Sequence, residues 1–114
     1  MNFFDGFTEF DADGATVKFY KKIDQDITII GFDSRSCVPP EPMVNAMVAL
    51  NFVKDKHTKV VMINHKFPAG LIPKIKSNFN IERENLDAEQ VKLTFSLKDG
   101  AGIKEFDTKQ VCHG

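Results

Sequence analysis

Four apolar residues, Val91, Leu93, Phe95 and Leu97, alternate with Lys92, Thr94, Ser96 and Lys98. That period of two predicts a strand with one face buried and one wet. Thr16 to Lys22 alternates as well, with Val17 and Phe19 opposed to Lys18, Tyr20 and Lys22. Ile27–Phe32 and Val60–Ile63 are instead nearly continuous apolar runs, as expected of strands covered on both faces. Asp24-Gln25-Asp26 predicts a turn, so the first two strands can form a hairpin.

Between the runs the spacing changes. Met43, Ala46, Met47, Leu50 and Val53 recur at helical intervals and predict a core-facing stripe. Pro39, Pro40 and Pro42 can open a helix but cannot lie inside one, which places this helix at about Pro40 to Lys54. Asn45 and Asn51 fall away from the centre of its stripe. Leu71, Ile72, Ile75 and Phe79 share a second helical face. Pro68 disfavours helical geometry at Phe67, and Pro73 fits only in a first turn, so this helix starts near Ala69 or Gly70. Asn80–Arg83 is a further strand candidate, and Ile103–Asp107 a short edge strand. Cys112-His113-Gly114 reads as a loose tail.

The order strand, strand, helix, strand, helix, strand, strand predicts an α/β (α+β) two-layer sandwich. Its mixed sheet has four to six strands, with two helices on one face. The strand–helix–strand unit should be parallel. A chain of 114 residues suits one domain, residues 1–114, with a core at about 27–98. The extension 1–26 adds a strand, and its first fifteen residues show only isolated apolar positions and two Asp-Gly turns.

Apolar residues make up 42% and charged residues 27%, which excludes a disordered chain. Eleven phenylalanines and no tryptophan read as core filling. The net charge of −1 gives no global attraction to nucleic acid or an anionic membrane. The start is acidic (Asp5, Glu9, Asp11, Asp13) and the middle is lysine-rich, from Lys54 to Lys76, which reads as a solvated face. No apolar run is long enough to span a bilayer. The first residues lack the order of a signal peptide. Two cysteines, Cys37 and Cys112, are few for a secreted domain of this size. Together these features predict a cytoplasmic protein with free thiols, no membrane association and no nucleic-acid partner.

Ile29-Ile30-Gly31-Phe32-Asp33-Ser34-Arg35, followed by Pro39-Pro40-Glu41-Pro42 at a helix start, resembles the TusA/SirA-like proteins. Their pattern is a strand ending in Leu-Asp-x-Arg, a short gap, then Cys-Pro-x-Pro opening a helix. Val60–Pro68 and then Leu71 also look like that family. The chain looks closest to an uncharacterised sister branch, a domain of unknown function in which Pro-Pro-Glu-Pro stands for Cys-Pro-x-Pro. The resemblance covers roughly Ile27 to Leu97. It implies a strand–helix–strand–helix–strand–strand fold and, in the TusA proteins, a motif cysteine that carries a persulfide sulfur between partner proteins. Here that cysteine position falls on Pro39, and the nearest thiol, Cys37, lies two residues upstream.

Parallel strands end on one edge of a sheet, and ligand sites favour that edge. The loop after the first buried run carries Asp33, Ser34, Arg35 and Cys37. The loop after the second carries Asn64, His65 and Lys66. These sets should therefore be neighbours. Helix starts point to the same edge, where free amides favour an anion or a thiolate. Cys37 is the candidate catalytic residue: near a helix start, with Arg35, His65 and Lys66 close by, its pKa should fall and its reactivity rise. Asp33, Arg35, Glu41, His65 and Lys66 are the candidate binding residues. Asp33 and Arg35 can equally pair with each other, and Glu41 is explained by the helix dipole alone. Cys112 could act as a resolving thiol. No metal site is expected: Asp11-x-Asp13-Gly14 lacks the later calcium ligands, and the histidines and cysteines have no zinc spacing. No phosphate loop or dinucleotide fingerprint occurs, and no cofactor is expected. Two functions follow: a non-enzymatic module that docks a protein partner or a small anion, with a link to sulfur or redox metabolism, or a sulfur carrier using Cys37.

Overall fold

The computed structural model describes residues 3–98. Along the chain lie β1 (Thr8–Phe10), β2 (Phe19–Asp24), β3 (Ile27–Asp33), α1 (Glu41–Leu50), β4 (Thr58–Asn64), α2 (Ile72–Ile75), β5 (Phe79–Asn85) and β6 (Val91–Leu97). The strands form one six-stranded sheet in the order β1-β2-β3-β4-β6-β5. Among the described residues only β3 and β4 pair in parallel, and the other neighbouring pairs are antiparallel. The architecture is thus the mixed sheet with two helices that the pattern predicts.

The two continuous apolar runs became the two central strands, β3 and β4. Ile30, Phe32, Val60 and Met62 point into the main core beneath α1, joined by Phe19, Leu93 and Phe95. Burying each of these large side chains stabilises the fold by roughly 1.5–3 kcal/mol. Leu71 and Ile75, from the second helical segment, enter the same cluster, which places both helices on one face. The opposite face is also covered at its centre. Ile63 is fully buried there, and Phe4 lies over Gly31 while stacking on Tyr20 at 4.9 Å between centroids. Double coverage is the physical reason that β3 and β4 lack an alternating pattern. β2 and β3 meet through a two-residue turn, Gln25-Asp26, with Gln25 at φ 56°.

Several boundaries and placements differ from expectation. α1 ends at Leu50, not Lys54, and the chain then tightens into turns, with Phe52 N–H to Ala49 O and Val53 N–H to Leu50 O. α2 is a single turn and does not run from Ala69 to Phe79. Phe79 instead opens β5, paired with Leu97. A ladder beside a formed strand outweighs extension of a short helix, which is marginal by itself. Asn45 is not peripheral: it is fully buried. The reason is the N-terminal extension, which crosses α1. Thr16 N–H donates to Asn45 Oδ1 (2.8 Å), and Asn45 Nδ2 donates to Thr16 Oγ1 (2.9 Å). The extension supplies two strands, β1 and β2, rather than one. Among the described residues no helix is long and apolar enough to cross a membrane. Ile103–Asp107, Cys112 and His113 lie outside the described residues.

Candidate functional site

The parallel pair brings the loops after β3 and β4 together at one edge. Ser34 is fully buried and ties them. Its N–H donates to Ile63 O at 2.7 Å, and its Oγ lies 2.9 Å from Asn64 Oδ1 and 3.0 Å from Ile63 O. Asn64 Nδ2 in turn donates to Lys66 O at 2.9 Å. The path of the second loop is therefore set from the first. Sequence reasoning gave Ser34 and Asn64 no role. The available signal was a small polar residue at or just past the end of each apolar run, where both groups must find a buried partner.

The candidate residues divide into three groups around this edge. In the first, Arg35 turns onto Asp33. Its Nη2 donates to Asp33 Oδ2 at 2.7 Å, and its Nε and backbone N–H donate to Oδ1 at 3.0 Å. The ring of Phe3 lies 5.1 Å from the guanidinium. By strand alternation Asp33 belongs to the face opposite Phe32, away from α1. The hydrogen bond to Asp33 raises the Arg35 pKa further, and Nη1 reaches Gln90 Oε1 at 3.5 Å.

The second group surrounds Cys37, which is buried. None of the expected cations is among the groups that shift its pKa. Burial pushes the thiol pKa up, the Glu41 carboxylate pushes it further, and a hydrogen bond with Thr16 opposes them. The expected acidification of Cys37 is therefore corrected. Glu41 also does more than face the helix dipole: it accepts a hydrogen bond from Thr16 Oγ1 at 3.0 Å.

The start of α1 explains why no amide cluster offsets that carboxylate. Pro40 and Pro42 have no N–H. Glu41 N–H donates to Val38 O at 2.9 Å, and Val44 N–H donates to Pro40 O at 3.1 Å. At α2 the amides of Leu71 and Lys74 are likewise bonded to Pro68 O and Leu71 O. The anion site expected at the helix starts is largely closed by these bonds and by proline.

The third group is a cavity of about 380 Å³ between the start of α1 and the loop after β4. Pro39, Pro42, Met43, Phe67 and Leu71 give it an apolar lining, and His65 and Lys66 are its charged or titratable members. Neither Cys37 nor any Asp or Glu of the described residues lines it. Its Phe67 wall is backed by Arg83, whose guanidinium lies 4.6 Å from the ring centroid. His65 Nδ1 is shut off from solvent and has no hydrogen-bond partner among the described residues. The described residues contain no cluster of three or more His, Cys, Asp or Glu that could hold a metal ion. No protein-family model matches this chain, and neither the curated proteins nor the solved structures compared with it give a match.

Proposed function

We propose that this chain is a non-enzymatic binding module of the TusA/SirA-like kind, working in the cytoplasm. Its guest occupies the cavity between Pro39–Met43 and His65–Leu71. Support for the family comes from Asp33-x-Arg35 and Pro39-Pro40-Glu41-Pro42 at the start of α1. The cavity carries the functional reading. It is concave, mostly apolar, of a size that suits a small ligand, and it lies at the edge where two parallel strands end. The sulfur-carrier reading loses its support because Cys37 is buried against Glu41 and its proton is held more tightly than in a free thiol.

NMR of the labelled chain, titrated with single-ring compounds of varied polarity, tests the site. Shifts confined to the Met43 methyl, His65 and Leu71 are expected. Those signals standing still for every compound, or moving no more than signals on β1 and β2, would remove the cavity as the binding site.

A further inference from the structure

We infer that the guest of the Pro39–Leu71 cavity is an apolar monocarboxylate, held with its carboxylate between His65 and Lys66 and its body against the prolines, Met43 and Phe67. This inference rests on the binding reading above and specifies its ligand.

Three observations carry it. First, the charge around the cavity has one sign: Lys66 lines it, and no carboxylate among the described residues does. A cationic guest would meet Lys66 without a counter-charge, whereas an anionic guest is complementary.

Second, the buried Nδ1 of His65 fixes what the ring offers outward. A neutral imidazole carries one N–H. An N–H on Nδ1 would be a buried donor with no acceptor among the described residues, and orphaned buried donors are rarer than under-used acceptors. The proton therefore sits on Nε2, the polar edge left to the cavity that His65 lines. The imidazole is a donor there, and Lys66 is a second one. Two donors suit the two oxygens of one carboxylate.

Third, the supply of donors sets an upper limit on the anion. A phosphate brings three strong acceptor oxygens and more than one charge. Of the backbone positions around the cavity, Pro40 and Pro42 supply no donor, and the amides of Glu41, Ala69 and Leu71 are already bonded to Val38 O, Phe67 O and Pro68 O. The remaining lining is apolar and calls for a ring or a branched chain rather than more oxygen.

The probes are 3-phenylpropanoate, its neutral amide and the corresponding amine, titrated into the full chain at neutral pH. The Met43 methyl and the His65 ring nitrogens are followed by NMR. An acetylated tripeptide ending in phenylalanine, with a free carboxylate, separates a chain end from a free acid as the source. The acid is expected to bind about tenfold more tightly than the amide, a difference typical of one charge-assisted contact. Lys66→Gln is expected to bring the acid to within about twofold of the amide, and the ring should report an Nε2–H tautomer. Tighter binding by either the acid or the peptide supports the carboxylate and names its source. Equal binding of acid and amide, or preference for the amine, overturns the carboxylate while the cavity stands as a binding site. No shift at Met43 or His65 with any probe overturns both readings.

Discussion

Ser34 and Asn64 lie thirty positions apart in sequence, yet their side chains share a buried hydrogen bond of 2.9 Å. The bond joins the ends of two parallel strands, and Asn64 passes the constraint on by donating to Lys66 O. The cavity wall on the β4 side thus depends on a serine that does not line the cavity. Ser34→Ala removes the hydroxyl and leaves a buried amide oxygen short of a donor. Such a loss costs about 1–3 kcal/mol, to be read from the urea midpoint. Exchange of the Ala69 and Leu71 amides, which are bonded to Phe67 O and Pro68 O in the same loop, should accelerate more than in the distant strand β5. Equal protection of those two amides in the variant would show that the bond does not set the loop.

Gly31 makes a different kind of contact. A Cβ built there would clash with the edge of the Phe4 ring at Cε1, so the N-terminal segment reaches β3 only because this position has no side chain. Gly31→Ala should expel Phe4 and destabilise the chain by about 1–3 kcal/mol, the usual cost of overpacking. In a Phe4→Ala background the same substitution should cost far less, because the clash is gone. A double-mutant cycle in denaturant measures this, and additive effects would place the damage elsewhere.

Asn45 joins α1 to the extension through two hydrogen bonds with Thr16. Asn45→Leu removes both of these hydrogen bonds and puts an apolar side chain against the Thr16 backbone N–H. A loss of about 1–3 kcal/mol is expected from the unmet donor. The Phe10 and Val17 signals should shift with it, since both pack against the core from this segment. A variant of unchanged stability would mean that solvent replaces Asn45 freely.

How much of this was legible depends on which partner explains each residue. The β6 alternation needed only its own sheet face, and Val91–Leu97 is the strand that the pattern predicts. The continuous runs in β3 and β4 indicated two covered faces without saying what covers the second; for β3 it is Phe4, from a segment with no periodicity of its own. Phe79 fitted a helical stripe with Leu71 and Ile75 because all three are core residues, but its backbone belongs to a strand paired with Leu97. At the site, the common edge followed from topology. The pairing of Arg35 with Asp33 was legible too, a contact two residues apart that the sequence allowed. The direction of Cys37 was not: it sits with Glu41 and Thr16, which depends on the crossing of α1 by residues around Thr16, a long-range contact that no local pattern encodes.

The surroundings of Cys37 give a prediction in pH. Burial and Glu41 raise its pKa in the folded state. Above the ordinary thiol pKa the unfolded chain releases this proton while the folded chain keeps it. The unfolded state then binds fewer protons, so stability falls as pH rises. The loss should begin near the ordinary thiol value, about 8.5, and end once the pH passes the raised folded value. Cys37→Ser should flatten that part of the stability curve. Alkylation of Cys37 by iodoacetamide, read peptide by peptide in a mass spectrometer, should be slower in the native chain than in urea. Glu41→Gln should speed it, because removing the carboxylate lowers the thiol pKa and exposes more thiolate. A native rate equal to the unfolded one, unchanged by Glu41→Gln, would contradict the raised pKa and reopen the case for a carrier thiol at this position.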